Sequence, residues 1–546
     1  MRVASDQIYG NKGLTQLPHD RLKRIAGHLK DVGRAQSRFA VLQPAWNPDM
    51  SPELAKEIFW AALDAQSFEI AERCIDIVAA EEGGQAAWPE RARRMLDNRR
   101  PIDIQELIKR MARRPATTIA RADGPLCYVL AGSLPQMTSG YAMRSHHLLQ
   151  ALAKTEFPVH CMTRPGFPVD VPGQDVQAAV PVISRVDGVE YHRILVPNRK
   201  ELKQTPYLEG ARRALMAEFA RLKPFAVMAA SNHANAAPAL LAARALGLPF
   251  IYDVRGFWEL SRLSDDPAFG ETEEFRSAFA LEGAVAAHAD LIFTLTEPMR
   301  EELVRRGASA DRIRLLPNGC DPAQFVPRLR DADLEATLGI PADVPVIGYV
   351  GSFWGYEGLD DLIRACGMLR RRGVAFRLVL VGDAPSQVRN RAPITPELKA
   401  RITQEGLDDW SFLPGRVPAD TVEAWYSLID IAPFPRKPLP VTELVSPMKP
   451  LEAMSMAKTV VVSSVGALAE MVSHNETGLV FAKGDCDALA DTLETALRDP
   501  ALRRRLGQAA RRRAITERSW DRIARNAIRE LEQFRIPDAE KILSER

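Results

Sequence analysis

Beyond residue 125 the chain predicts an α/β fold: two doubly wound parallel sheets in tandem, preceded by a helical region. Three observations predict it. Short apolar runs such as Cys127-Tyr128-Val129-Leu130-Ala131 and Thr459-Val460-Val461-Val462-Ser463 read as strands buried on both faces. Stretches of helical period separate them. The alternation stops across 327–345, a segment bounded by Pro327 and Pro345, and then restarts. A chain of 546 residues is also too long for one core.

Residues 1–120 read as helical. Pro52 to Trp60, Phe68 to Val78 and Ile104 to Met111 carry apolar residues at helical spacing, and Arg113-Arg114-Pro115 marks a boundary. Ala62 to Asp76 suggests one helix-turn-helix unit, but no second copy follows at a fixed period. The first sheet is predicted from strands at Cys127 to Ala131, Val159 to Met162, Phe225 to Ala229, Pro249 to Tyr252 and Leu291 to Thr294. Helices are expected at Tyr141 to Ala153, Leu208 to Arg221, Ala236 to Ala245, Phe275 to His288 and Glu297 to Arg306. The second sheet is predicted from strands at 346–350, 376–381, 430–434 and 459–463, with helices at 358–371, 487–498 and 500–514. The expected division is 1–120, a helical extension; 121–326 and 327–519, two Rossmann-like domains; and 520–546, a closing helix that packs back on the first. Two such domains create a cleft between the carboxyl ends of their strands.

One segment carries the most chemistry: Thr442-Glu443-Leu444-Val445-Ser446-Pro447-Met448-Lys449-Pro450-Leu451-Glu452-Ala453-Met454. Ser446 suits a helix N-cap and Pro447 a first helical position, with the helix running through Ala457. The unpaired N–H groups of a helix N-terminus favour phosphate. Lys449 and Glu452, three residues apart, share a face: one neutralises phosphate, the other accepts from hydroxyls. Such a loop suits a sugar nucleotide.

In order along the chain, Ser139-Gly140-Tyr141-Ala142-Met143-Arg144, Leu315-Leu316-Pro317-Asn318-Gly319-Cys320-Asp321, Gly348-Tyr349-Val350-Gly351-Ser352 and Leu380-Val381-Gly382-Asp383 precede this segment, and Thr477-Gly478-Leu479-Val480 follows. The ordered set resembles the retaining nucleotide-sugar glycosyltransferases of family 4, with the GT-B fold, over about residues 125–535. Tyr349 to Ser352 with Tyr356-Glu357-Gly358-Leu359-Asp360 is similar to a subgroup that builds bacterial exopolysaccharides. There are departures. The family's paired glutamates have seven residues between them; Glu452 matches the second, whereas Leu444 holds the first place and Glu443 stands one position off. Where the family has an Arg and a Lys after the first strand of the second domain, Ser352 and Glu357 stand here. Phosphate charge is then expected from Arg416, Arg436, Lys437 or Lys449.

The resemblance implies sugar transfer to an acceptor hydroxyl with retention of configuration. The expected donor site comprises Gly351, Ser352, Arg416, Thr442, Val445, Ser446, Met448, Lys449 and Glu452. Glu452 would accept from the donor ribose, Lys449 would meet the diphosphate, and Glu443 would ligate sugar hydroxyls. Glycine at 351 lets the backbone approach phosphate. Gly140, Tyr141 and Arg144 open a helix toward the cleft as an acceptor or phosphate loop. Asp253-Val254-Arg255-Gly256-Phe257-Trp258 is expected just past a strand's carboxyl end, with Arg255 steadying the leaving phosphate, Asp253 on the acceptor and the aromatics available to stack on sugar. Asn318-Gly319 is read as a structural turn. His146, His147, His233 and His288 are not assigned chemistry.

Net charge is +2, so no basic field argues for nucleic acid. The six cysteines are scattered without a CxxC pair, which argues against a zinc site or disulfide framework and fits a reducing compartment. Met1 to Gly10 lacks the apolar core of a signal peptide, and no apolar run reaches the ~18–20 residues of a membrane span. No cofactor or metal is expected beyond the nucleotide-sugar donor. The expected partners are that donor and a saccharide or lipid-linked saccharide acceptor. The expected location is the cytoplasm, with peripheral contact at the inner membrane face left open, as is protein binding by the N-terminal helices. Two rivals stand beside transfer: a sugar-nucleotide epimerase and a non-catalytic binding or assembly protein. No strand leads into a clean GxGxxG, which disfavours a dehydrogenase.

Overall fold

The computed structural model describes residues 35–43, 46–47, 49–65, 67–82, 87–99, 103–115, 117–171, 180–202, 204–384 and 394–535. The reading of Met1 to Gly10, and the end of the 520–546 segment, lie outside them. The chain forms two compact units, one of residues 1–103 with 197–210, the other of 104–196 with 211–546. In the first, helices Pro52–Asp64, Phe68–Glu82 and Ala87–Arg99 pack in sequence. Ser51 caps the first, its hydroxyl accepting from Leu54 N at 3.4 Å, ahead of Pro52 at the first helical position. Leu54, Ile58, Phe59, Ile75, Val78 and Leu96 form its core.

The second unit holds two sheets. The first contains β1 (Leu126–Leu130), β2 (Val159–Thr163), β3 (Ile183–Val186), β4 (Val189–His192), β5 (Ala226–Ala230), β6 (Phe250–Val254), β7 (Leu291–Thr294) and β8 (Ile313–Leu315), in the order β3-β4-β2-β1-β5-β6-β7-β8. β1, β5, β6 and β7 are buried along their whole length, as strands covered on both faces must be. The sheet is mixed rather than wholly parallel: β3 and β4 pair antiparallel at one edge. Asp187 and Gly188 make the turn, both at positive φ. This hairpin has polar alternate positions, so it lacks the continuous apolar signal of the central strands. The helix Ile104–Ala112 packs on the helices His233–Ala245 and Glu273–His288 of this unit.

The second sheet holds β9 (Val346–Val350), β10 (Arg377–Val381), β11 (Ser411–Gly415), β12 (Ile431–Phe434), β13 (Thr459–Ser463) and β14 (Leu479–Phe481), in the order β11-β10-β9-β12-β13-β14. Every registered pair in it is parallel. The chain runs outward from β9 to β11 and returns on the other side at β12, so a switch point lies between β9 and β12. In the first sheet the corresponding point lies between β1 and β5.

The chain crosses between the sheets twice, and the crossings touch: Cys320 N donates to Arg518 O at 2.9 Å and Trp520 N to Cys320 O at 3.2 Å. A β-carbon on Gly319 would stand 2.7 Å from Ile523 and 2.8 Å from Trp520, so glycine is required there by close packing. The helix Trp520–Glu532 lies on the helix Gly140–Ala153 and buries Ile523, Ala524, Ala527 and Leu531 in the first sheet's core.

Candidate active site

The site is built from loops at the two switch points. A cavity of about 280 Å³ is walled on one side by Tyr141, Ser231, Asn232, Arg255 and Trp258, which follow β1, β5 and β6. Tyr356, Arg436, Val441 and Val445, which follow β9 and β12, wall the other. Gly256 faces Val445 across the gap: a β-carbon there would lie 3.4 Å from its methyl.

In the first wall, Arg255 is the central group. Its Nε donates to Asp253 Oδ2 at 2.7 Å, and Nη1 to Tyr141 O at 3.1 Å and Ser145 Oγ at 2.7 Å. Nη2 donates to the Tyr128 hydroxyl. Four of its five N–H donors are thus engaged, and the guanidinium lies 4.6 Å over the Tyr141 ring. Burial works against its charge, but Asp253 outweighs that and raises its pKa. Asp253 departs from expectation. It lies within β6, not past its end, and is fully buried. Its carboxylate holds Arg255 and the Tyr128 hydroxyl, with Arg144 at 3.7 Å, and does not open on the cavity. An isolated buried carboxylate would be costly; this one is matched by two arginines.

Arg144 also departs. It is buried rather than open to the cleft, donating to Leu316 O at 2.8 Å, Pro317 O at 3.0 Å and Asn318 Oδ1 at 3.2 Å. It therefore grips the crossing. Tyr141 lines the cavity, its hydroxyl accepting from Ala131 N at 2.9 Å, and burial pushes its pKa up to about 12. Gly140 begins its helix on the exposed rim. Trp258 is 39% exposed and opens a helix, Trp258–Asp265, that the sequence reading did not assign.

In the second wall, Glu357 is the hub. Arg436 grips it with two bonds, Nη2 to Oε1 at 2.9 Å and Nε to Oε2 at 3.2 Å, and Lys449 Nζ reaches Oε1 at 3.1 Å. Burial would raise the Glu357 pKa, but the two cations prevail and hold it at about 2. Glu357, where the resemblance led to the expectation of a basic residue, is thus an acid carrying two cations from elsewhere. Gly351 has φ +144°, and a β-carbon on it would stand 2.2 Å from Lys449 Cε. Glycine there makes room for the lysine stem. Gly382, φ +136°, is needed for the same crowding, since its β-carbon would strike Gly351 O.

Glu452 is half-buried beside Lys449, its Oε2 accepting from the Tyr426 hydroxyl at 3.1 Å. Burial raises its pKa, against the lowering effects of Tyr426 and Lys449. Ser352 and Arg416 are exposed, and Arg416 Nη2 donates to Ala384 O at 2.6 Å. Glu443 lies off the cavity lining. Its Oε1 pairs with Lys483 at 2.6 Å and Oε2 accepts from Gly466 N at 2.8 Å. Thr442 is fully buried and turned inward, where its hydroxyl accepts from Leu439 N at 3.1 Å, so it does not face a donor. Met448 packs into the first sheet's core, near Gly140.

The helix after this loop is shorter than expected. It runs Lys449–Ser455 with Met448 as cap, and Ala457 turns at φ +55°. Ser446 does not cap it, because its carbonyl and hydroxyl face Asn318 Nδ2 at 2.7 and 3.5 Å. Sequence reasoning missed Ser231, Asn232 and Tyr356 as cavity residues. Their position at the ends of β5 and β9 was the available signal. His233 opens the next helix, its Nδ1 3.2 Å from Glu282. Among the described residues no group of three or more His, Cys, Asp or Glu side chains is gathered as a metal would need, and no helix is long and apolar enough to cross a membrane.

Two facing Rossmann-like domains with cationic switch-point loops define a class: the GT-B proteins. Residues 139–319 match the family model described as "Glycosyl transferase 4-like domain", and 344–499 the one described as "Glycosyl transferases group 1". The chain belongs to the GT4-like family of GT-B-fold glycosyltransferases. It is 32% identical over 265 residues to D-inositol 3-phosphate glycosyltransferase of Saccharomonospora viridis, covering 47% of this chain and 58% of that protein. It is 26% identical over 252 residues to alpha-maltose-1-phosphate synthase of Mycolicibacterium smegmatis, covering 44% and 62%. The chain therefore spans less than two thirds of these curated relatives. Among solved structures, sucrose-phosphate synthase from Thermosynechococcus elongatus aligns with a TM-score of 0.60 at 21% identity, over 75% of this chain and 98% of that one. Anabaena HepE in complex with UDP aligns with a TM-score of 0.55 at 16% identity, over 75% and 100%. These likenesses concern the fold.

Proposed function

We propose that the protein is a retaining glycosyltransferase that moves a sugar from a nucleotide-diphosphate sugar to the hydroxyl of a saccharide or lipid-linked saccharide, in bacterial polysaccharide or glycolipid synthesis. The observation that carries this is the convergence of Arg255 from one domain and Arg436, with Lys449 behind it, from the other. Fixed cations in a partly dry cleft stabilise charge where it develops, on the departing diphosphate. In the reaction the bond from the anomeric carbon to phosphate oxygen breaks and a bond to the acceptor oxygen forms on the same face. The acceptor proton passes to the leaving phosphate. Lys449 meets the diphosphate and Glu452 accepts from the ribose; Gly351 and Ser352 offer backbone beside it. Arg255 steadies the leaving phosphate, and Asp253 holds Arg255 rather than touching the acceptor. Residues 327–519 serve the donor and 121–326 the acceptor.

The test is thermal stabilisation by UDP-, GDP-, ADP- and dTDP-sugars, with wild type beside Glu452→Ala. A ligand of the native state raises the melting temperature by mass action. One base should stabilise wild type and lose most of its effect in Glu452→Ala. No stabilisation of folded wild type by any of the four would overturn the reading in favour of a binding or assembly role.

A further inference from the structure

Three successive carbonyls of the loop that leads to Lys449 are each held by a donor from a different place. Leu444 O accepts from Thr296 Oγ1 at 2.6 Å; Thr296 follows β7 of the first sheet. Val445 O accepts from Arg436 Nη1 at 2.7 Å, within the second domain. Ser446 O accepts from Asn318 Nδ2 at 2.7 Å, on the first crossing between the sheets. The amide orientation of Asn318 is dictated by its neighbours. Arg144 can only donate, so it takes Oδ1, and the Ser446 carbonyl can only accept, so it takes Nδ2. Arg144 in turn sits 3.7 Å from Asp253, the carboxylate that holds Arg255. Thr296, Asn318 and Arg144 are all buried.

We propose that Thr296 and Asn318 are positioning residues that register the donor loop against the first domain. Arg436 alone would fix the loop within its own domain. The two further bonds tie the same three residues to the opposite sheet and to the crossing. The loop that presents Lys449 and Glu452 is thereby in register only when the domains hold this arrangement. One chain of polar contacts then runs from Arg255 through Asp253, Arg144 and Asn318 to Ser446, linking both walls of the cavity. This rests on the donor-site reading above.

The experiment measures binding of UDP, GDP, ADP and dTDP by calorimetry to wild type, Thr296→Val, Thr296→Ser and Asn318→Asp, with the melting temperature of each. Thr296→Val is close in shape and loses both the donor to Leu444 O and the cap that accepts from Met299 N at 3.2 Å, the latter read in the melting temperature; Thr296→Ser keeps both. Asn318→Asp keeps the acceptor for Arg144 and loses the donor to Ser446 O. For the nucleotide that wild type binds, Thr296→Val and Asn318→Asp should each weaken affinity about tenfold, the worth of one buried hydrogen bond. Thr296→Ser should restore wild-type affinity. Lower melting temperatures with unchanged affinity would reduce both residues to structural supports and overturn the proposal. If Asn318→Asp does not fold, the Thr296 pair decides alone. Failure of wild type to bind any of the four nucleotides would instead remove the donor site itself, and this inference with it.

Discussion

The two walls of the cleft solve the same electrostatic problem in opposite ways. In the first domain one carboxylate, Asp253, is fixed inside a central strand and serves two arginines, Arg255 and Arg144. In the second, one carboxylate, Glu357, sits in a loop and serves Arg436 and Lys449, which come from separate segments. Each of these two acids is therefore shared by two cations. The first pair is locked against the sheet, with Arg144 turned to the crossing; in the second, Arg436 reaches the loop at Val445 O and Lys449 stands at its end. The difference teaches that a buried acid can gather positive charge either from just past its own strand and a neighbouring helix or from separate segments, wherever the fold supplies it.

The largest expected effect comes from breaking the rigid wall. Asp253→Ala leaves two buried arginines and the Tyr128 hydroxyl without their common partner. It should cost about 3–5 kcal/mol of stability, read by urea unfolding. A cost below about 1 kcal/mol would mean that water reaches Arg255 and that the wall is not sealed.

A smaller effect is expected at the adaptable wall. Glu357→Gln removes a negative charge between Arg436 and Lys449 while keeping the side-chain shape. Affinity for the nucleotide diphosphate that wild type binds should fall several-fold, read by calorimetry, as the two cations lose the acid that gathers them. A rise would show that Glu357 acts mainly by competing with the ligand for them.

The smallest effect separates the two domains by pH. Burial pushes the His160 imidazole, whose ring centre lies 3.9 Å from that of His192 in the first sheet, down to about 4, with His192 and Arg221 adding to the shift. A histidine depressed on folding contributes stability that is complete above its unfolded value, near 6.5, and is lost as pH falls toward 4. Glu357 is held at about 2, so its share is complete above the unfolded carboxyl value, near 4.5, and is lost only as pH falls below that. Acid titration followed by tryptophan fluorescence and melting temperature should show loss between pH 6.5 and 4 in wild type, diminished in His160→Gln. An identical curve in that variant would assign the early loss to another group.

The central strands were legible because burial on both faces leaves an unbroken apolar run; Leu291–Thr294 and Val346–Val350 match their predicted limits. The β3–β4 hairpin and β8 were not, since edge strands need no such run. The helix Trp258–Asp265 was hidden by polar residues whose partners, such as Arg306 against Glu259, lie far along the chain. Motif and spacing singled out Lys449 and Glu452, and the structure sets Lys449 on Glu357 with Glu452 beside it; Arg436, one of several cations open to the role, lines the cavity. Asp253 read as a site residue because it was expected at a strand's carboxyl end, and Thr442 and Arg144 because they stand in segments that resemble the family's motifs. Here each turns inward to a partner.

The sequence by itself determined the alternation of strands and helices, the two-sheet architecture and the family motifs. These depend on local periodicity and on residues a few positions apart. Only the tertiary structure decided which cation meets which acid, that the Ser446 carbonyl goes to Asn318, and that Asp253 is sealed within its strand. Apart from the Arg255–Asp253 pair, those outcomes are set by hydrogen bonds between residues far apart in the chain, such as Asn318 and Ser446 or Arg436 and Glu357, and by the cost of leaving buried polar groups unpaired. No local pattern encodes either.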